Sequence, residues 1–337
     1  MKIIFFELEP HYESFIRTAF PSDELLFFKQ PLTPDSIPPQ AHDADIISIF
    51  ICSCITPHVL EQLHNLKLIV TRSTGCDHIC MQEAQRKQII VCNAPTYADT
   101  SVAEYTFALL LSLARRINIS WFRTAHQSSF SLDGLQGFDL RGKTIGVIGT
   151  GNIGRKVITL ARGFGMKVIA HDTYPDKQLA QENQFDYVSL EMLLQQSDII
   201  TLHVPLNDST HHLINKQTVS LIKKGAYLIN TARGGIIQTE ALLFGLQLNI
   251  IAGAALDVLE EECCTQDPLH LLQSSHPSEQ QLKIVLENQE LIKHPRVIIT
   301  PHNAFNSVQA LERLMHITID SITAFKNGTP INKARNA

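Results

Sequence analysis

The run Gly149-Thr150-Gly151-Asn152-Ile153-Gly154 constrains the fold of this chain more than any other, because of what stands on either side of it. A β-branched strand signal over Thr144–Ile148 leads in, and a segment of helical spacing, 153–164, leads out. A glycine pattern of this kind is weak evidence alone, but between a strand and a helix it specifies a backbone path. The first glycine allows the tight turn, the second lets a ligand approach the backbone, and the third lets helix and strand pack closely.

The surrounding sequence repeats that strand–helix rhythm. Strand signals fall at 144–148, 167–171, 199–204, 227–230, 251–256 and 297–300, with helical segments 153–164, 190–195, 216–222 and 239–248 between most of them. A shorter series precedes it, with strands at 3–6, 25–28, 45–51, 66–71 and 89–92 and helical spacing at 56–63 and 81–86. Alternation of this kind predicts parallel sheets with helices on both faces, one of them doubly wound and Rossmann-like. At 337 residues the chain is long enough for two such domains. A long apolar helix, 102–117, stands between the series, with Ser101 and Glu104 as a capping box at its start. An amphipathic segment, 308–325, closes the chain with no strand after it and is expected to pack back on the first domain. The expected architecture is therefore α/β, with a flavodoxin-like domain of residues 1–100 and 300–337 split by an inserted domain, 101–299. Crossings near 93–101 and 296–305 would act as hinges flanking a cleft.

In this context the glycine loop is a dinucleotide site. Amides near Asn152 and Ile153 would donate to a pyrophosphate at the positive end of the helix. Asp172 follows Gly154 by eighteen residues and ends the next strand. A carboxylate there would bond a ribose diol and repel a 2′-phosphate, which favours NAD over NADP. Composition narrows the classes further. The net charge of −5 supplies no field for nucleic acid or an anionic membrane. No apolar run approaches the ~20 residues that span a bilayer, and the first residues meet charge too early for a signal peptide. Seven cysteines without a CxxC pair read as reduced thiols in a cytoplasmic protein, Cys263-Cys264 included. Fifteen histidines show no metal-ligand spacing such as HExxH, so no metal is expected.

Three further segments lie at strand ends on the ligand side of the second sheet: Asn230-Thr231-Ala232-Arg233-Gly234-Gly235, then 253–262 containing Asp257, then Thr300-Pro301-His302. With these in order, the chain resembles the D-isomer-specific 2-hydroxyacid dehydrogenases over nearly its whole length, on their lactate-type branch. The resemblance implies that Arg233, Glu262 and His302 are catalytic, with the glutamate's register left open within Glu260-Glu261-Glu262. It also implies cofactor contacts from Gly149, Gly151, Asn152, Ile153, Gly154, Asp172, Val204, Pro205, Thr210, Thr231, Ala232, Arg233 and Asp257, the last facing the nicotinamide amide. In the first domain, Ser73-Thr74-Gly75-Cys76-Asp77-His78 resembles the loop that holds the substrate carboxylate, through Thr74 and Gly75. Tyr97 and Phe305 would crowd the substrate side chain, with ordinary core packing as the alternative for each.

The chemistry suits these residue types. Reduction of a 2-keto acid needs a hydride at C2 and a proton on its oxygen. His302 as imidazolium would supply the proton, and a neighbouring Glu262 carboxylate would favour that charged form. Arg233 offers a planar fork to the substrate carboxylate. The expected activity is NAD-dependent reduction of a small 2-keto acid to the D-2-hydroxy acid, pyruvate first. The alternatives are glyoxylate, hydroxypyruvate or a larger keto acid, or an NAD-sensing binding protein of the same fold. The apolar helix 102–117 suggests a subunit interface and a homodimer, with burial between domains as its alternative.

Overall fold

The computed structural model describes residues 1–262, 265 and 278–334. The chain divides into two compact units, Met1–Ala98 with Ser307–Ala337, and Asp99–Asn306.

The first unit is built on strands β1 (Lys2–Phe5), β2 (Glu24–Phe27), β3 (Ile46–Ile49), β4 (Leu68–Thr71) and β5 (Ile90–Cys92), all parallel, in the order β2-β1-β3-β4-β5. Three helices, α1 (Glu13–Ala19), α2 (Pro57–Gln62) and α3 (Met81–Arg86), connect them. Strands β3 and β4 are buried along their whole length, as expected of a parallel sheet covered on both faces. Period-two alternation divides their side chains: Ile4, Ile47 and Ile69 pack with Val59 and Leu60 of α2, while Ile3, Ile46 and Leu68 pack with Ile16 of α1.

The second unit runs α4 (Asp99–Arg115), α5 (Ile117–Gln127), β6 (Thr144–Ile148), α6 (Asn152–Gly163), β7 (Lys167–His171), α7 (Lys177–Asn183), β8 (Asp186–Tyr187), α8 (Leu190–Gln196), β9 (Ile199–Leu202), α9 (Lys216–Val219), β10 (Ala226–Asn230), α10 (Thr239–Gln247), β11 (Ile251–Leu256), α11 (Glu279–Lys293) and β12 (Val297–Ile299). Among the described residues its strands form one parallel sheet, β12-β11-β10-β9-β6-β7-β8. The order reverses between β6 and β9, and that switch point is where sheets of this kind bind ligands. The C-terminal helix α12 (Val308–Lys326) belongs to the first unit, where Met315 and Ile322 pack against Phe5, Val70 and Cys92.

Several local expectations change. Helix α4 begins at Asp99, so Ser101 lies in its first turn rather than ahead of it as a cap. It stops at Arg115 because Arg116 takes a left-handed conformation, φ 51°, and a separate helix α5 follows. The apolar side of α4 is consumed inside the unit, with Ala103, Phe107, Leu110 and Ala114 packed on Val157, Ile158 and Ala161 of α6. Residues 300–306 group with the second unit rather than the first, because Asp257 holds them by hydrogen bonds. No described helix is long and apolar enough to cross a membrane.

Candidate active site

The glycine loop leaves β6 and opens α6. Gly149 has φ 92°, and a Cβ there would lie 2.5 Å from the carbonyl oxygen of His203, so only glycine fits. A Cβ on Gly154 would lie 2.0 Å from the Gly149 oxygen, which is the close helix–strand approach the pattern implies. Gly151 is different: a Cβ there meets nothing within 4 Å. It is the N-cap of α6 and brings no side chain to the first-turn amides of Asn152 and Ile153. A cradle of open space over helix-end donors fits a pyrophosphate.

Asp172 stands beside this loop. Its Oδ2 accepts the Thr150 amide at 2.7 Å and the Thr150 hydroxyl at 2.9 Å, and its Oδ1 accepts the Tyr174 amide at 2.9 Å. Burial pushes this carboxyl upward, but the three hydrogen bonds prevail and hold it below its ordinary range. A fixed anion here fits NAD and opposes a 2′-phosphate. The nearby Arg155 is engaged elsewhere, with Nε on the Thr150 oxygen at 3.1 Å and a terminal nitrogen on Asp176 at 3.0 Å. After β9, Val204 and Pro205 begin a loop that Thr210 closes, its hydroxyl donating to the Pro205 oxygen at 2.5 Å and accepting the Asn207 amide at 2.9 Å.

The Arg233 turn is shaped by Asn230, a fully buried residue that sequence reasoning did not single out. Its side-chain amide donates to the Arg233 oxygen at 2.8 Å and its oxygen accepts the Ala232 amide at 3.0 Å. Thr231 is buried beside Thr106 of α4, hydroxyl to hydroxyl at 3.0 Å. One guanidinium nitrogen of Arg233 donates to the Ala232 oxygen at 2.8 Å.

Strand β11 delivers Asp257, 1 % exposed, to the base of the histidine loop. Oδ1 accepts the Thr300 hydroxyl at 2.5 Å and the Asn303 amide at 2.9 Å, and Oδ2 accepts the Ala304 amide at 2.8 Å. The Asp257 backbone oxygen accepts the His302 amide at 2.9 Å. Burial raises the Asp257 carboxyl above its ordinary value against these bonds. The Asp257 carboxylate thus bonds residues on both sides of His302, whose φ is 50°. That loop brings His302 Nδ1 to 3.1 Å from Glu262 Oε1. Of the three consecutive glutamates, Glu262 is the one that reaches the histidine, while Glu260 turns to His212 and Thr239. Phe305 stands near His302, ring centroids 6.3 Å apart. Cys263 and Cys264 lie outside the described residues.

In the first unit, the Thr74 hydroxyl donates to the Ala94 oxygen at 2.9 Å, and the Ser73 hydroxyl donates to the Gly75 oxygen at 2.7 Å, so the 73–75 loop is internally tied. Tyr97 is 5 % exposed, and its backbone oxygen accepts Nε–H of Arg313 at 2.8 Å. Arg72, just ahead of the loop, is a buried cation not foreseen from sequence. It donates to Ser48 Oγ at 2.8 Å and to the Phe6 and Glu7 backbone oxygens at 2.5 and 2.9 Å, and burial lowers it to about 10.

Comparison with known proteins agrees with this geometry. The family described as D-isomer specific 2-hydroxyacid dehydrogenase, NAD binding domain, matches residues 107–304. A 2-hydroxyacid dehydrogenase homolog of Zymomonas mobilis is 36 % identical over 308 residues, 90 % of each chain. An aromatic 2-oxoacid reductase of Clostridium sporogenes is 38 % identical over 302 residues, 88 % of each chain. Among solved structures, the D-lactate dehydrogenase of Aquifex aeolicus with NAD and lactic acid superposes with a TM-score of 0.85 at 36 % identity, covering 97 % of this chain and 96 % of that one. The glycine cradle, the fixed Asp172 and these likenesses lead to one conclusion: the chain belongs to the D-isomer-specific 2-hydroxyacid dehydrogenases, NAD-dependent oxidoreductases acting on a CH–OH group.

Proposed function

We propose that the enzyme reduces a small 2-keto acid, pyruvate to D-lactate, with Arg233, Glu262 and His302 as its catalytic residues. The observation that carries this reading is the contact of Glu262 with His302 Nδ1 at 3.1 Å. Glu262 accepts from Nδ1 and orients the ring, so that Nε2–H gives a proton to the carbonyl oxygen. Arg233 binds the substrate carboxylate through its guanidinium fork and polarises the carbonyl. Bound NADH supplies the hydride that C2 receives. In the oxidative direction, neutral His302 takes the hydroxyl proton. The amides of Gly151–Gly154 hold the pyrophosphate and Asp172 the ribose diol, with Val204, Pro205, Thr210, Thr231 and Ala232 along the rest of the cofactor. Thr74 and Gly75 bind the substrate carboxylate and Phe305 limits its side chain. The enzyme acts as a homodimer in a reducing, cytoplasmic setting, which suits the thiols of Cys54, Cys80 and Cys92.

The test is NADH oxidation by wild type, His302→Ala and Arg233→Ala. His302→Ala should lose about 10²–10⁴ in kcat, and Arg233→Ala should raise the keto-acid KM along with a lower kcat. A wild-type rate in either variant would overturn the assignment. The burial of Tyr97 and the likeness to an aromatic 2-oxoacid reductase favour a second reading, a bulkier substrate. Higher kcat/KM for phenylpyruvate than for pyruvate would put that reading first.

A further inference from the structure

Glu260 takes no part in the reaction proposed above, yet its carboxylate is only 8 % exposed and fully engaged. Oε2 accepts the Thr239 amide at 2.6 Å and the Thr239 hydroxyl at 2.7 Å, at the start of α10. Oε1 accepts Nε2–H of His212 at 2.6 Å. The Glu260 backbone oxygen accepts the side-chain amide of Asn288 at 2.8 Å, a fully buried residue of α11. The peptide before it is clamped as well. A Cβ on Gly234 would lie 1.9 Å from the Leu259 oxygen and 2.5 Å from the Glu260 nitrogen, so the turn that carries Arg233 rests directly on residues 259–260. His212 closes the circuit, its amide donating to the Gly235 oxygen at 2.8 Å.

Four segments thus meet at one residue: the loop after β9, the Arg233 turn, the start of α10 and the chain leading from β11 to Glu262. We propose that Glu260 and His212 are positioning residues for the acid–base pair. They fix the peptide two residues ahead of Glu262 and the turn bearing Arg233 in one register, so that Glu262 stays against Nδ1 of His302. The proposal rests on the reading of Glu262 as the partner of His302.

His211, His212 and Glu260 also bring donor atoms close enough to share a cation. The geometry favours the hydrogen bond instead. Two ligands of one tetrahedral ion stand roughly 3.3 Å apart, whereas His212 Nε2 and Glu260 Oε1 are 2.6 Å apart, a hydrogen-bond distance.

The test is a double-mutant cycle. Glu260→Gln is measured alone and with Glu262→Gln, recording kcat, KM, the pH–rate profile and the melting temperature. Glu260→Gln should lower kcat about tenfold in the wild-type background but change it less than about twofold once Glu262 is already Gln. Its pH–rate profile should move in the same direction as that of Glu262→Gln, a readout that loss of stability alone does not move. His212→Ala should also lower kcat, and His212→Gln, which keeps a donor, should recover most of it; this arm stands even if Glu260→Gln does not fold. Equal losses in both backgrounds, or none in wild type, would overturn the proposal. So would activity lost to EDTA and restored by Zn²⁺, which would make the cluster a cation site. A wild-type rate in Glu262→Gln alone would instead show that the acid–base reading had failed first.

Discussion

A carboxylate accepts and never donates, and Asp257 makes structural use of that. Its two oxygens face a hydroxyl and two backbone amides, so an asparagine in its place would have to turn its NH₂ toward a donor on one side. Asp257→Asn should therefore cost about 1–3 kcal/mol and lower kcat, because the 300–304 loop sets the conformation of His302. Melting and steady-state rates check this, and a variant matching wild type in both would refute the bracing role. Asp172 makes the complementary case on the cofactor side. Removing its charge in Asp172→Ser should raise the KM for NADH and narrow the NADH-over-NADPH preference by about tenfold, near 1.4 kcal/mol. An unchanged preference would show that the carboxylate does not discriminate. Arg233 and His302 were legible in sequence because order and flanking motif mark them. Glu260 was not: three consecutive glutamates look alike until folding turns one toward His212 and another toward His302. Asn230 and Arg72 were equally silent, since their work is to bond backbone atoms that only the fold brings near.

At the scale of elements, the two sheets share a device at their feet. In the first unit Asp45, just ahead of β3, accepts the Lys2 amide of β1 at 2.9 Å and the Lys67 ammonium at 2.7 Å. In the second, Asp198, just ahead of β9, accepts the Thr144 amide of β6 at 2.9 Å and the Lys223 ammonium at 2.7 Å. Each aspartate ties the strand across the switch point to the first strand of its sheet. For Asp198, burial pushes the carboxyl up, but the Lys223 and Thr144 hydrogen bonds prevail and hold it below the ordinary range. A depressed carboxyl stabilises the fold above the unfolded value of about 3.9 and loses that contribution as pH falls through the folded value. Asp198→Asn should then melt about 2–4 °C below wild type near neutral pH, for roughly 1 kcal/mol, with the gap closing in acid. A gap that persists unchanged in strong acid would point to packing rather than charge. Strands such as β3, β4 and β9 were legible because burial on both faces demands continuous apolar runs. The edge strand β8 has only Asp186 and Tyr187, too few residues for any period to show. Helix α5 escaped because its apolar side faces solvent, and its sequence keeps no core-facing stripe.

That exposed side bears on the whole molecule. The apolar side of α4, from which an interface was expected, is consumed inside the second unit, whereas Trp121 on α5 is 63 % exposed, and Phe130 and Leu132 just beyond it are 84 % and 82 % exposed. Arg123 pins this segment by donating to the Asp133 oxygen at 2.6 Å, so the aromatic groups are presented on an ordered excursion. Large apolar residues left in the open mark an association surface. A twofold pairing would let the patch cover its own copy. Buried aromatic anchors of this kind carry about 2 kcal/mol or more each. Trp121→Glu should thus weaken the homodimer proposed above roughly thirtyfold or more, read by sedimentation or light scattering across a dilution series. Arg233, Glu262 and His302 all lie in one unit of one chain, so the monomer so produced should retain kcat within a few-fold. A wild-type protein that sediments as a monomer, or a Trp121→Glu variant that stays dimeric, would show that these side chains serve something other than self-association.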